Sequence, residues 1–229
     1  LCLGDRRLNK RAVNIAHTLN LAPGKTIPQA FRSRGDIKAC YNFYQNDQVS
    51  KEKLLKPHIA KSIDRMKEFP VVLCPSDTTE IDFTSKNVMD GRQRLTNTKQ
   101  GIWLHATIAV TPQRLMLGCV DANFWERKPE VAEKNRTVLD KAPIEEKESY
   151  RWLLGYRTAC NTARELPETQ IISLFDREGD IIEIYAEAEE QKKLGSYAHF
   201  IVRANHDRKI VNVEGERDES IVRLRKKLQ

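Results

Sequence analysis

Two short and almost wholly apolar runs constrain the fold of this chain more than any other feature. The first is Val-Val-Leu-Cys at 71–74, and the second is Ile-Ile-Ser-Leu-Phe at 171–175. Runs of this length and character are typical of strands buried within a sheet. Around them, alternation and turn residues predict further strands at 101–111, 115–120 and 199–203 and helices at 144–165 and 181–191. The order of these elements predicts a mixed α/β fold with a central sheet.

An aspartate follows each apolar run: Asp77 after the first and Asp176 after the second. A carboxylate just past a buried strand lies at the rim of the sheet, where α/β proteins build their sites. Carboxylates that converge there are suitable ligands for Mg²⁺ or Mn²⁺. Asp77 and Asp176 are therefore candidate metal ligands, and a helix cap or a salt bridge is the alternative role for each. Asp82 would point to the opposite strand face, and Asp180 stands where an N-cap for the 181–191 helix belongs.

The charge of the chain is concentrated near its start. Residues 1–60 hold 11 Lys and Arg against 4 Asp and Glu, whereas the remaining residues hold 28 of each. This asymmetry predicts a basic module at 1–60 that meets a polyanion, followed by a charge-balanced domain at 61–229. The alternative is a basic face that is merely solvated.

The basic module reads as helical. An apolar stripe over residues 8–19 predicts a first helix with Asp5 as its N-cap. Arg6, Arg7 and Lys10 lie near the start of this helix, where its dipole disfavours cations, so a docked phosphate would relieve the repulsion. A second helix is predicted to begin near Asp36, with its three aromatic residues at 41, 43 and 44 in a small core. The alternative role for these aromatic residues is stacking on nucleic-acid bases.

Cysteine spacing and hydropathy exclude several classes of protein. The five cysteines form no CxxC pair and no zinc-ligand spacing. No run approaches the roughly 18 apolar residues that span a bilayer. The sequence therefore disfavours a zinc finger, a disulfide scaffold and a membrane protein, and it favours structural thiols in a reducing cytosol.

An ordered series of segments carries a resemblance to a known family. The segments are 3–14 with its basic residues, Tyr41-Asn42-Phe43, Asp77-Thr78-Thr79, Gly101-Ile102-Trp103-Leu104-His105, Glu146-Lys147-Glu148-Ser149 with Trp152-Leu153, Phe175-Asp176-Arg177-Glu178-Gly179-Asp180-Ile181, and the basic stretch 202–209. Together they resemble a bacterial DDE transposase of the insertion-sequence-four group, close to the Tn-five type.

This resemblance implies a helical DNA-binding module followed by a ribonuclease-H-like catalytic core. It implies that Mg²⁺ or Mn²⁺ is held by Asp77, Asp176 and a third carboxylate, and that the protein cuts transposon ends and joins them to target DNA. Its partner would be double-stranded DNA, on which full-length family members act as dimers, in the bacterial cytoplasm. His206 would position a loop. The implied DNA contacts are Arg6, Arg7, Lys10, Arg11, Lys25, Arg203, Arg208 and Lys209.

The chain departs from the family pattern at the third acid. The family places it in a helix with the spacing Tyr, two residues, Arg, three residues, Glu, six residues, Lys, and no tyrosine here has Arg three positions on. We therefore expect a catalytic core that is incomplete at its C-terminal end and has little or no cutting activity. Two alternatives remain open: a non-catalytic DNA-binding remnant or inhibitor derived from a transposase, and an unrelated metal nuclease that uses Glu80 or Glu178. For Glu178 we expect an ion pair with a nearby basic group.

Overall fold

A computed structural model describes residues 1–85, 93–95, 98–125, 142–195, 197–207, 209–210 and 222–223. The chain divides into two compact units, Leu1–Lys61 and Ser62–Gln229. None of the helices in the described ranges is long and apolar enough to cross a membrane. All five cysteines are free thiols, and Cys40, Cys74 and Cys160 are buried.

The N-terminal unit is helical. Its helices are α1 (Arg6–Asn20), α2 (Ile27–Ala30) and α3 (Arg34–Tyr44), and α4 (Lys51–Met66) begins within it. The Asp5 carboxylate accepts a hydrogen bond from the Arg7 backbone N–H at 2.6 Å, which confirms the predicted N-cap of α1. The α3 helix starts at Arg34 rather than near Asp36, because Ser33 caps it by accepting from the Asp36 N–H at 3.0 Å.

The core of this unit is small, and only one of the three aromatic residues on α3 is buried in it. Phe43 is buried, whereas Tyr41 and Tyr44 are 46% and 51% exposed, so the prediction that all three are core was wrong for the tyrosines. Residues three apart share a helix face, so Cys40 and Phe43 point inward while Tyr41 and Tyr44 turn away together. The buried cluster consists of Leu3, Ala12, Ile15, Phe31, Cys40 and Phe43.

The second unit is built on a mixed sheet, as predicted. Strand β1 is central: it pairs antiparallel with β3 on one side and parallel with β5 on the other. On the far side of β3 lie β4 and the short β2, and β6 extends the sheet parallel to β5. A separate two-stranded ribbon is formed by β7 and β8. The strands are β1 (Val71–Asp82), β2 (Gln93–Arg94), β3 (Gln100–Val110), β4 (Met116–Trp125), β5 (Gln170–Phe175), β6 (His199–Val202), β7 (Lys209–Ile210) and β8 (Val222–Arg223).

Two helices, α5 (Tyr150–Glu165) and α6 (Ile182–Lys193), accompany this sheet. The predicted helix at 144–165 is interrupted, because a short 3₁₀ turn at Ile144–Glu146 precedes α5. Trp152 and Tyr156 of α5 are fully buried and belong to the same core cluster as Val72 of β1 and Ile171 of β5. The two apolar runs of the sequence therefore became neighbouring parallel strands, β1 and β5, at the centre of the sheet.

Candidate functional site

Asp77 lies on β1, and Asp176 directly follows β5, the strand that runs parallel beside it. Every residue of β5 that pairs with β1 carries a number 99 higher than its partner, from Val71 with Gln170 to Pro75 with Leu174. Asp176 carries a number 99 higher than Asp77, and both stand two positions beyond the last pair of the ladder, Pro75 with Leu174. Adjacent strands are about 4.8 Å apart, and residues at equivalent register share a face of the sheet. The register therefore brings the two predicted acids to one edge of the sheet.

The two strands reach this edge differently. We expected Asp77 to follow its strand, but β1 continues through it to Asp82, because β3 still pairs with this half of β1. Asp176 does follow the end of β5, and its backbone stays extended (φ −77°, ψ −165°) before a 3₁₀ turn at Arg177–Gly179. Asp77 is thus held by sheet hydrogen bonding, and Asp176 by the turn that it caps.

Both carboxylates are exposed, and each accepts a hydrogen bond from a nearby backbone N–H. One oxygen of Asp77 accepts from the Thr78 N–H at 2.7 Å, and one oxygen of Asp176 accepts from the Glu178 N–H at 2.8 Å. Two exposed carboxylates at one sheet edge are hard oxygen donors, and Mg²⁺ sites commonly combine one or two carboxylates with water and substrate phosphate. The donor set therefore fits Mg²⁺ or Mn²⁺. Within the described part of the chain, no group of three or more His, Cys, Asp or Glu side chains could ligate a metal ion.

A hydrogen-bonded chain of side chains lies beside this pair. The Arg151 Nε donates to Thr78 Oγ1 at 2.8 Å, and Thr78 Oγ1 lies 2.8 Å from Nδ1 of His105 on β3. His105 is fully buried, and its ring packs edge-on against Trp152 with centroids 4.6 Å apart. The residue after Asp77 is therefore tied to α5 on one side and to β3 on the other.

The protonation state of His105 follows from its burial. Arginine only donates, so Thr78 Oγ1 accepts from Arg151, and either Thr78 Oγ1 or His105 Nδ1 is the donor in the bond between them. Burial lowers the pKa of His105 to about 4; the Arg151 charge acts in the same direction, and the Asp176 carboxylate opposes it. His105 is therefore a neutral structural group at physiological pH.

Glu178 and Glu80, the acids of the alternative nuclease reading, are both in ion pairs. Glu178 Oε2 accepts from Arg151 Nη2 at 2.5 Å, which confirms the expected partner for this residue. Glu80 Oε2 lies 3.1 Å from Lys99 Nζ across the β1 and β3 pair. Neither side chain joins Asp77 and Asp176 in a set of three acids that could hold a metal ion within the described residues.

Asp180 has a different role from the predicted helix cap. Ile181 occupies the N-cap position of α6, and Asp180 is 2% exposed. One of its oxygens accepts from the backbone N–H groups of Asn205 and His206 at 2.7 and 2.8 Å, and the other accepts from the Tyr185 hydroxyl at 3.2 Å. Asp180 therefore fastens the segment after β6 to the segment after β5.

The segment after β6, which Asp180 holds in place, begins with one of the predicted C-terminal cations, Arg203. The Arg203 N–H donates to the Phe175 carbonyl at 3.0 Å, immediately before Asp176. Arg203 itself is exposed and lies at the same carboxyl edge of the parallel strands as the acid pair. Arg208 lies outside the described residues, and Lys209 opens the short strand β7. The exposed His206 is held through its backbone by Asp180, in keeping with the positional role implied for it.

In the N-terminal unit, three of the predicted cations line one groove. Arg7, Lys10 and Arg11 project from α1, and α3 forms the other wall of this groove of about 340 Å³. The wall on α3 includes Asp36, whose carboxylate accepts from the Ser33 hydroxyl at 2.6 Å. Arg6 and Lys25 are exposed but do not line the groove. The three cations of the groove lie within the first two turns of α1, where they can meet phosphate groups.

The start of α1 already holds an anion of its own. Arg7 pairs with Asp5 at 3.1 Å, and this guanidinium lowers the pKa of the Asp5 carboxyl, mainly through the side-chain hydrogen bond. The sequence reasoning treated the cations near this terminus as uncompensated and overlooked that Asp5 offsets them. Lys10 and Arg11, one turn further on, are exposed as well.

Sequence reasoning also missed Arg151 and His105 as parts of the site. His105 was predicted only as part of the strand at 101–111, and no role was predicted for Arg151, which directly precedes Trp152. A basic residue beside a buried tryptophan on a predicted helix was the available signal. It could not show that Thr78, 73 positions away, would be the hydrogen-bond partner.

Residues 1–49 match the family model described as transposase DNA-binding. The matched stretch contains α1, α2 and α3 and the groove lined by Arg7, Lys10 and Arg11. The match covers the N-terminal part of the chain and supports a relation to transposases there. The N-terminal unit therefore has a transposase-related role in binding DNA.

Proposed function

We propose that the chain is a DDE-type transposase of the insertion-sequence-four group, similar to the Tn-five type, with a ribonuclease-H-like core in its second unit. In this proposal Asp77 and Asp176 are catalytic carboxylates that hold Mg²⁺ or Mn²⁺. The observation that carries the proposal is the register of the parallel strands β1 and β5, which when continued by two positions sets Asp77 beside Asp176, in a chain whose first 49 residues match a transposase DNA-binding family.

The sheet gives further support to a ribonuclease-H-like core. Its first strand is central, an antiparallel meander of β3 and β4 lies on one side, and the helix-connected parallel strands β5 and β6 lie on the other. The carboxyl ends of β1, β5 and β6 share one edge, so residues that follow these strands converge there. Asp176 and Arg203 meet this condition, and Asp77 lies on β1 just beyond the stretch that pairs with β5.

The chain's own groups would act by holding and orienting. A bound divalent ion would supply Lewis-acid stabilisation of the charge on a phosphodiester. Asp77 and Asp176 would hold that ion, and the sheet and the 3₁₀ turn keep their backbones rigid. Arg203 would neutralise a nearby backbone phosphate, as would Arg6, Arg7, Lys10, Arg11 and Lys25 in the N-terminal unit. Phosphoryl transfer needs little more from a protein than such placement and charge.

Metal binding is the direct test of the acid pair. Titration with Mn²⁺, followed by the electron paramagnetic resonance of the free ion, should reveal one site in the wild type and its loss in Asp77→Asn and Asp176→Asn. Asp82→Asn is the matched control, because Asp82 lies on the same strand but binds the Thr84 backbone and hydroxyl. Equal Mn²⁺ binding by Asp77→Asn, Asp176→Asn and the wild type would rule out the proposed metal site.

The non-catalytic alternative predicts a different pair of results. A transposase-derived DNA-binding protein or inhibitor would bind duplex DNA without binding Mn²⁺ at Asp77 and Asp176. Nicking of supercoiled plasmid in Mn²⁺ that Asp77→Asn abolishes would instead establish the catalytic role. Measuring DNA binding, Mn²⁺ binding and nicking on the same preparations separates the two proposals.

A further inference from the structure

The Arg151 side chain connects the two segments that carry the proposed catalytic acids. We propose that Arg151 is a positioning residue that holds Asp77 and Asp176 in the arrangement needed to bind a divalent ion. This inference rests on the proposed function, because it gives Arg151 a role only if the two carboxylates act on one ion.

The guanidinium of Arg151 is fully engaged within the chain. Its Nε donates to Thr78 Oγ1 at 2.8 Å, its Nη1 to the Glu148 carbonyl at 2.6 Å, and its Nη2 to Glu178 Oε2 at 2.5 Å. The side chain is 11% exposed. A guanidinium whose three nitrogens each bind a different partner holds those partners in a fixed plane, since its fork is rigid.

Two of these partners adjoin the acids in the chain. Thr78 directly follows Asp77, and its backbone N–H is bonded to the Asp77 carboxylate at 2.7 Å. Glu178 lies two residues after Asp176, and its N–H is bonded to the Asp176 carboxylate at 2.8 Å. A displacement of either neighbour would therefore change the orientation of the acid it is bonded to. Arg151 is the side chain that bonds to both neighbours.

Aromatic rings fix the position of the bridge. The Arg151 guanidinium lies 5.3 Å from the ring centre of Trp125 and 5.9 Å from that of Trp152. Contacts of this kind contribute more when the cation is withdrawn from water, as it is here. Trp152 is fully buried between His105 and Phe175, so it belongs to the rigid core. The bridge is thus anchored to the core and not to a mobile surface group.

The Thr78 side chain is held by two hydrogen-bond partners. Its hydroxyl accepts from Arg151 and lies within hydrogen-bond reach of His105 Nδ1, so both of its neighbours fix its rotamer. A lysine at 151 would keep the positive charge but could not bond to Thr78, Glu148 and Glu178 in one plane. A role as a simple charge and a role in positioning therefore predict opposite results for a lysine replacement.

The experiment measures the Mn²⁺ dissociation constant of the full chain by electron paramagnetic resonance. We expect Arg151→Lys and Thr78→Val each to weaken Mn²⁺ binding about tenfold, the usual cost of losing a group that orients a metal ligand. Thr78→Ser keeps the hydroxyl and should retain wild-type binding. In the double variant the two losses should not add, because both break one interaction. Arg157→Lys is the matched control: Arg157 lies on the same helix and pairs with Glu187 at 2.7 Å.

The outcomes separate the two proposals. Loss of Mn²⁺ binding in Asp77→Asn together with wild-type binding in both Arg151→Lys and Thr78→Val would overturn the role of Arg151 and leave the metal site intact. Unchanged binding in Asp77→Asn would overturn the metal site and, with it, the role of Arg151. Thermal unfolding of each variant shows whether it is folded. If Arg151→Lys is unfolded, the contrast between Thr78→Val and Thr78→Ser decides the question.

Discussion

The two units of this chain use their charged residues in opposite ways. In the N-terminal unit the functional cations project from α1 into solvent, and the groove they line is floored by a small apolar core. In the second unit two charged residues near the sheet rim, Arg151 and Asp180, are withdrawn from water and bonded to specific partners. The cations of the groove are thus available to a ligand, whereas Arg151 and Asp180 position other groups.

This contrast has an energetic consequence. An exposed cation contributes little to stability, because water screens it and its side chain loses freedom on pairing. A buried charge that satisfies backbone groups contributes much more, since its removal leaves those groups without partners. Substitutions should therefore change DNA affinity in one unit and folding stability in the other.

The largest expected effect is that of Asp180→Ala. It leaves the backbone N–H groups of Asn205 and His206 without their acceptor, which should lower the free energy of unfolding of the second unit by about 3 kcal/mol. Denaturant unfolding monitored by circular dichroism measures this loss. Glu189→Gln, on the exposed face of α6, is the control. A loss below that of the control would contradict the buried role of Asp180.

The second effect is a dependence of stability on pH. Because burial lowers the pKa of His105 to about 4, the unfolded chain takes up a proton near pH 6.5 that the folded chain resists. The contribution of His105 is therefore fully present above about pH 6.5 and is lost as pH falls toward 4, at about 1.4 kcal/mol per pH unit.

Comparison of the wild type with His105→Gln isolates this contribution from that of the carboxylates. Unfolding free energies measured between pH 7 and pH 4 should fall less steeply for His105→Gln, and the two proteins should run parallel above pH 7. Equal slopes over the whole range would show that His105 takes up its proton at the same pH in the folded and unfolded chains.

The smallest effect on stability is expected from the combined variant Arg7→Gln, Lys10→Gln and Arg11→Gln. Its free energy of unfolding should change by less than about 0.5 kcal/mol for each exposed site. The same variant should bind duplex DNA more weakly, and its slope of log affinity against log salt should be shallower by about 2.7, or 0.9 for each lost phosphate contact.

Fluorescence anisotropy of a labelled duplex across a salt series measures that slope. A matched variant with Lys51→Gln and Lys53→Gln on α4, outside the groove, serves as the control. If both variants change the slope equally, the groove is not the DNA-binding surface. The contrast between the two units in the use of charged residues would then be wrong.

Much of the fold followed from local patterns. The apolar runs at 71–74 and 171–175 predicted the central strands, and the mixed α/β class was confirmed. The predictions failed where a residue's surroundings come from elsewhere in the chain. Tyr41 and Tyr44 were expected in the core but face solvent, because α3 buries only the stripe that contains Cys40 and Phe43. Asp180 was expected to cap a helix, and its partners turned out to be backbone groups 25 and 26 residues away.

The candidate site shows the same division. Sequence alone selected Asp77 and Asp176, since a carboxylate after a buried strand is visible in the order of residues. It could not select Arg151, Thr78 and His105 as a connected set, because these residues come from α5, β1 and β3. Nothing in their spacing along the chain indicates that they would meet.

By itself, the sequence determined where the buried strands of the sheet lie, where the positive charge is concentrated and which acids come after the apolar runs, because each depends on residues close together in the chain. The tertiary structure alone decided that β1 and β5 are parallel neighbours, that Arg151 bonds to Thr78 and Glu178 and that Asp180 joins two rim segments. These facts depend on strand register and helix placement. Both are set by the packing of the whole core, which no single stretch of sequence encodes.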